Sequence, residues 1–214
     1  RRIGVLFVCL GNICRSPLAK WIFTDMATRR GVRERFDIDS CGTGHWHVGK
    51  GADPRSTAVA LSRGIEASHT ARRLAPGSDF ERFAYLLAMD TDNRDALLHA
   101  GAPAERVFLM RSFDPALLGE PDHRLIVPDP YYGGPEGFDR VYDMLSAACE
   151  AVDAKPASVA AAHPAPSDIA LVCDKLVNAK RPLMIVGGPG WSRDIQDTVQ
   201  AFAARFDLPV APAF

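Results

Sequence analysis

The sequence of 214 residues predicts an α/β fold. The expected architecture is a four-stranded parallel sheet with helices on both faces, a functional loop after strand one, and a C-terminal partial βαβ segment. Three observations carry that prediction. Short apolar, β-branched runs alternate with stretches of helical period across the first 152 residues, the order that builds a parallel sheet covered on both sides. Proline and glycine punctuate the helical stretches at their starts and ends. The first strand also runs into the first helix through one compact turn, Val8-Cys9-Leu10-Gly11-Asn12-Ile13-Cys14-Arg15-Ser16-Pro17.

Strand one is Ile3 to Val8, and helix one spans Leu18 to Arg30 with Pro17 in its first turn. Strand two, Phe36 to Ser40, leads into a glycine-rich loop that ends at Asp53. Pro54 opens a helix that reaches Arg63 and stops at Gly64. Phe83 to Met89 reads as a buried strand, Thr91 to Ala100 as a helix stopped by Gly101, and Arg106 to Met110 as the fourth strand. Phe138 to Val152 is amphipathic, with Val141, Leu145, Ala148 and Val152 at helical spacing. Lys155 to Pro166 then holds five Ala and three Pro without a helical stripe. That composition reads as a semi-rigid linker. The expected domains are therefore 1–152 and 167–214, joined by the linker 153–166. The second reads as helix (Asp168 to Asn178), strand (Leu183 to Val186), the turn Gly187-Gly188-Pro189-Gly190, helix (Asp194 to Phe206) and a strand from Pro209 to Ala213. It is short for an independent domain, so it is expected to pack on the first domain or to be poorly ordered.

The turn after strand one carries the chemistry. Ligands of parallel sheets bind beyond the carboxyl ends of the strands, where Cys9 falls. Main-chain N–H groups of a strand-to-helix turn converge at a helix N-terminus and form an anion cradle. The helix dipole and the Arg15 guanidinium both favour a thiolate there. The combination suits attack by sulfur on a phosphoryl group held by Arg15 and main-chain donors. A strand cysteine that is only a small apolar residue is the plainer alternative, and the context of Gly11, Ser16 and Pro17 argues against it. Asn12 reads as a loop shaper, since Asn tolerates left-handed backbone and bonds locally. Ser16 is placed to donate to Cys9, to cap helix one, or to do both. Cys14 is near enough to Cys9 for a disulfide if geometry permits, against the alternative of an inert first-turn thiol. Asp129 sits between Pro128 and Pro130 in a loop stiffened on both sides, as a turn residue or a proton donor.

This decapeptide resembles the phosphate loop of the low-molecular-weight protein tyrosine phosphatases. The likeness continues through Asp39-Ser40-Cys41-Gly42-Thr43-Gly44 and Gly64-Ile65-Glu66-Ala67-Ser68-His69-Thr70-Ala71-Arg72. It includes Ala88-Met89-Asp90 and closes with Val127-Pro128-Asp129-Pro130-Tyr131-Tyr132-Gly133-Gly134, covering residues 3 to 152. The resemblance implies hydrolysis of phosphotyrosine and small aryl phosphates through a phosphocysteine intermediate, with no cofactor and no metal. Cys9 would be the nucleophile, and Arg15 the planar clamp on the equatorial oxygens. Asp129 would be the general acid for a phenolic leaving group, with Asp90 and Asp92 as the next candidates. Leu10, Gly11, Asn12, Ile13, Cys14 and Ser16 would shape the loop, and Ser40 and His69 match positions that brace it. Trp46, Tyr131 and Tyr132 would wall the pocket around a flat ring. The implied partner is a tyrosine-phosphorylated protein.

The C-terminal segment resembles the opening of the middle domain of thiamine-diphosphate-dependent enzymes of the acetolactate synthase type. That likeness rests on Ala179-Lys180-Arg181-Pro182-Leu183-Met184-Ile185-Val186-Gly187-Gly188 and on Phe206-Asp207-Leu208-Pro209-Val210. The cofactor-binding domains of those enzymes have no counterpart here, so no thiamine chemistry is implied.

Composition removes other classes. A net charge of −1 offers no broad basic surface for nucleic acid, and the clusters Arg29-Arg30 to Arg35 and Arg72-Arg73 read as solvated faces. No stretch has the length of a membrane span. Arg1-Arg2 before an apolar run imitates a signal sequence, but the run is strand-like and lacks a cleavage site. The missing initiator Met reads as trimming or a fragment. Five cysteines, an odd number without zinc spacing, argue against a disulfide scaffold or a structural metal. A nucleophilic thiol needs a reducing compartment, so the cytoplasm is the expected location. Cys41, Cys149 and Cys173 read as packing residues, and weak self-association stays open. Thiol-dependent arsenate reduction is a competing activity. It relays oxidation through two further cysteines downstream, and none lies between Cys41 and Cys149. A non-catalytic phosphate- or nucleotide-binding module is the other alternative, opposed by the joint presence of nucleophile, arginine and acid.

Overall fold

The computed structural model describes residues 2–150 and, beyond them, 184–186, 199–201, 203–204 and 210–212. The chain divides into two compact units, Arg1–Ala157 and Ser158–Phe214. In the first, the elements run β1 (Ile3–Cys9), α1 (Arg15–Arg29), β2 (Phe36–Gly42), α2 (Pro54–Ser62), α3 (Pro76–Arg82), β3 (Tyr85–Ala88), α4 (Thr91–His99), β4 (Val107–Leu109) and α5 (Pro135–Glu150). The four strands form one parallel sheet in the order β2-β1-β3-β4. β1 is therefore internal, with Phe7 facing Ser40 on one side and Leu87 on the other.

Alternation along β1 divides the core in two. Val5, Phe7 and Cys9 pack with Leu18, Ile22 and Phe23 of α1, Ala60 of α2, and Val141, Leu145 and Ala148 of α5. Leu6 and Val8 point the other way, onto Phe83, Leu97 of α4 and Leu125, with Phe80 of α3 against them. Helices thus cover both faces, as expected for strands that are apolar on both sides. Full burial of each such large side chain contributes about 1.5–3 kcal/mol. Where β1 crosses the end of α3 the backbones nearly touch. A Cβ on Gly4 would overlap the Arg82 carbonyl oxygen and lie 2.8 Å from Phe83 Cα, so only glycine fits.

The elements depart from the sequence reading in three places. Helix one begins at Arg15, so Ser16 lies inside its first turn. Cys14 is the N-cap, without a side-chain cap bond. Ser16 is therefore no cap. The helix α3 has no counterpart in the sequence reading. Its signals are Pro76 at the first position and Asp79, whose Oδ2 accepts the Ala75 N–H at 2.8 Å. Arg72 is no solvated charge either. Its Nε donates to Asp39 Oδ2 (2.9 Å), while Nη1 and Nη2 donate to the buried Asp79 (2.9 and 3.1 Å).

Cys41 and Cys149 are buried in the two core layers. No described helix is long and apolar enough to cross a membrane. In the second unit, β5 (Met184–Val186) pairs in parallel with β6 (Val210–Pro212), Met184 opposite Val210. Residues 199–201 and 203–204 are helical. The linker 153–166, the helix expected at 168–178, the turn 187–190, Cys173, Val152, and the packing or ordering expected of residues 167–214 lie outside the described residues.

Candidate active site

β1 ends at Cys9 and α1 starts at Arg15, so the turn between them spans residues 10–14. Asn12 is its keystone. Its φ of 54° is left-handed, the one such non-glycine among the described residues, and the side chain is wholly buried. The Asn12 main-chain N–H donates to Cys9 Sγ (3.2 Å). Its Oδ1 accepts the Arg72 main-chain N–H (2.9 Å), which fixes the amide's orientation. Nδ2 then donates to Ser16 Oγ (2.9 Å) and Ser40 Oγ (3.0 Å). Ser16 Oγ also lies 3.0 Å from Cys9 Sγ and 3.5 Å from Cys41 O. A thiolate at Cys9 can only accept, so in that state the sulfur takes the Asn12 N–H and the Ser16 hydroxyl as donors.

His69 Nε2 lies 2.6 Å from Asn12 O, which requires the proton on that nitrogen. The other nitrogen, Nδ1, is buried without a partner. Burial holds the imidazole below its ordinary pKa, against the opposing pull of the Asn12 carbonyl. His69 and Ser40 stand behind the turn, where they brace it from outside the cavity.

Arg15, the first residue of α1, is buried and triply anchored. Nη1 donates to Asp90 Oδ2 (2.6 Å) and to Val127 O (3.0 Å), while Nη2 donates to Asp129 Oδ2 (3.0 Å). Burial works against its charge, but Cys9, Asp129 and Asp90 outweigh burial and raise its pKa. The second Asp90 oxygen accepts the Asn93 N–H (2.7 Å) as the N-cap of α4. Asp90 is consequently a bracket between two elements. Sequence reasoning treated it only as a substitute proton donor.

The loop carrying Asp129 hangs from the carboxyl end of β3, where the Val127 N–H donates to Met89 O (2.7 Å). Asp129 Oδ1 accepts the Tyr131 N–H at 3.1 Å, a turn-forming contact. The same side chain lines a cavity of about 340 Å³ with Cys9 and Arg15. Leu10, Gly11, Ile13 and Cys14 of the turn also line it, with the exposed rings of Trp46, Tyr131 and Tyr132 at its rim. Trp46 stacks on His45 and lies over Gly44, where any Cβ would collide with its ring. Tyr131 and Tyr132 meet edge to face at 5.0 Å, and Tyr132 is almost fully exposed. His47 also lines the cavity and rests against Gly11. It was missed, although the triplet His45-Trp46-His47 after a strand-ending glycine loop was a visible signal. Cys14 is a free thiol, as is Cys9. Burial, reinforced by Asp53, pushes the Cys14 thiol up to about 12.

Sheet, turn and cavity together define an α/β protein that sets a thiol, a guanidinium and a carboxylate on one cavity. The model of the family described as low molecular weight phosphotyrosine protein phosphatase matches residues 4–161. The chain belongs to that family. It is 46% identical over 149 residues to the low molecular weight phosphotyrosine protein phosphatase of Schizosaccharomyces pombe, covering 68% of this chain and 91% of that one. The Streptomyces coelicolor low molecular weight protein-tyrosine-phosphatase is 45% identical over 148 residues, 67% of this chain and 87% of that one. Among solved structures, a protein tyrosine phosphatase from Entamoeba histolytica superposes with a TM-score of 0.64 at 40% identity, over 70% of this chain and 94% of the other.

Proposed function

We propose that this chain hydrolyses phosphotyrosine and small aryl phosphates through a phosphocysteine on Cys9, with the whole site carried by residues 1–152. The observation that carries the reading is the convergence of Cys9, Arg15 and Asp129 on one aromatic-rimmed cavity. Sulfur attacks phosphorus in line, forming the S–P bond as the aryl O–P bond breaks. Phenol is a poor leaving group, with a pKa of about 10, so Asp129 delivers its proton to the departing oxygen. Charge spreads over the equatorial oxygens, where the Arg15 fork and the main-chain N–H groups of the turn stabilise it. Asp90 and Val127 O hold Nη1, which leaves the Nε–Nη2 edge of the fork for substrate oxygens. Water then attacks phosphorus, Asp129 accepts a proton from it, and Cys9 leaves as a sulfide that Ser16 hydrogen-bonds. Trp46, Tyr131 and Tyr132 suit a flat aryl ring, and the thiol suits a cytoplasmic enzyme acting on tyrosine-phosphorylated proteins. Arsenate reduction lacks its relay cysteines.

The test is kcat/KM, which reports the steps up to loss of the aryl group, for phosphotyrosine, phenyl phosphate and p-nitrophenyl phosphate with wild type, Cys9→Ser and Asp129→Asn. Cys9→Ser is expected to bind inorganic phosphate without turnover. Asp129→Asn should lose about 10²–10⁴-fold on the first two substrates and far less on the third, whose leaving group needs no proton. Substantial hydrolysis by Cys9→Ser would sink the proposal.

A further inference from the structure

The geometry points to Arg55 as a positioning residue for the proton donor, a clasp that ties the loop 129–133 to the phosphate loop. The inference rests on the reading of Asp129 as general acid.

Asp53-Pro54-Arg55 opens α2, with Pro54 at the first position, where no N–H is needed. Asp53 caps the helix by accepting the Arg55 N–H at Oδ1 (2.9 Å), and its own N–H donates to Ile13 O (2.8 Å). Ser56 Oγ donates to Cys14 O (3.3 Å). The first turn of α2 is thus bonded to two carbonyls of the phosphate loop. From that anchor the Arg55 guanidinium forks onto Asp53 through Nε (3.0 Å) and Nη2 (2.9 Å). The fork leaves one Nη2 hydrogen for Tyr131 O (2.9 Å), and Nη1 donates to Gly133 O (3.0 Å). The cation lies over the Phe138 ring, 4.4 Å from its centroid, so its plane is held from a third side.

The two acceptors are what turn an ion pair into a clasp. Helix capping and the Asp53 pair require nothing from residues 131 and 133. Tyr131 is gripped at both ends of its residue, its N–H on Asp129 Oδ1 and its carbonyl on Arg55. Displacing Arg55 therefore displaces Tyr131, and with it both the carboxylate and one wall of the cavity. A planar fork can serve Asp53 and two carbonyls together, whereas an ammonium cannot.

The experiment compares kcat/KM of full-length Arg55→Met, Arg55→Lys and Asp129→Asn on phenyl phosphate and p-nitrophenyl phosphate, with inhibition by inorganic phosphate and the pH profile alongside. A misplacement of about 1 Å costs up to about 100-fold. Arg55→Met should accordingly lose about 10- to 100-fold on phenyl phosphate and no more than a few-fold on p-nitrophenyl phosphate. Arg55→Lys should fall between wild type and Arg55→Met, with the alkaline fall in rate that marks loss of the general acid's proton flattened in both and phosphate inhibition unchanged. An equal loss on both substrates, no loss on either, or weakened phosphate inhibition overturns the clasp. If Arg55→Met does not fold, Arg55→Lys decides by the same criteria. Asp129→Asn separates the two readings. Leaving-group selectivity in Asp129→Asn without it in the Arg55 variants defeats the clasp alone, and its absence in Asp129→Asn defeats the acid assignment itself.

Discussion

Arg15 is asked to do several things with one guanidinium. It holds Asp90 and Val127 O with one nitrogen and faces Asp129 with the other. Lysine preserves the charge but offers a single point of donation. Arg15→Lys is expected to lower kcat/KM by about 10²-fold or more, the cost of removing one fixed donor from a charged transition state. Near-normal rates on phenyl phosphate would remove Arg15 from the clamp. Cys9, Asn12, Arg15 and Ser16 were legible in the sequence because they lie within one turn, where spacing and residue type constrain each other. The left-handed backbone of Asn12 fits its reading as a loop shaper, since Asn tolerates that conformation. Asp90, Arg72 and Arg55 were not legible in their roles. Their partners lie 75, 60 and 76 positions away, and no local pattern records which distant residues will meet. Arg72 shows the difficulty most plainly, since it acts on the phosphate loop through its main-chain N–H, a group every residue but proline has.

Elements were legible where they were long or punctuated. The glycine-terminated α2 and α4 fall at the expected places, and the amphipathic α5 starts three residues early, at Pro135 rather than Phe138. The seven residues of α3 complete fewer than two turns, too few for a helical period to show. That helix nevertheless sets a hard boundary for β1, because the chain leaving it passes against Gly4. Gly4→Ala should force the sheet and α3 apart and cost about 1–3 kcal/mol, the range for overpacking a close contact. Chemical denaturation measures the loss, and kcat/KM per folded molecule should stay at the wild-type value because Cys9 lies at the opposite end of β1. Unchanged stability would mean that α3 shifts freely.

For the whole chain, acid sensitivity should appear in two stages. The imidazole of His69 is depressed in the fold, so below its ordinary value of about 6.5 the unfolded chain takes up a proton that the folded chain refuses. Stability should begin to fall as pH drops through that point. Asp39 and Asp53 are also depressed. For Asp39 the Ser40 N–H, Arg72 and Lys20 overcome burial, and for Asp53 the Arg55 fork dominates. Their contribution is complete above the usual carboxylate range and is lost only as pH falls through their lowered values. Thermal unfolding of wild type and His69→Gln from pH 8 to pH 3 checks this. The variant should lose the first decline and keep the second, and an unchanged first decline would exclude His69 as its source. Removing residues 153–214 should leave aryl phosphatase activity largely intact, since every assigned residue precedes the cut. A soluble, folded but inactive truncation would show that the remainder completes the site, and insolubility that it covers apolar surface. The span of the contacts around Cys9 also sets a clock. The thiol is made before the residues that tie its loop down, which are 40, 69, 72 and, through Arg15, Val127, 112 positions later. A chain still being synthesised therefore carries its cysteine past all of these residues before the loop can close. During that interval it is an ordinary thiol, and the arrival of Val127 and Asp129 completes the contacts that fix Arg15 beside it.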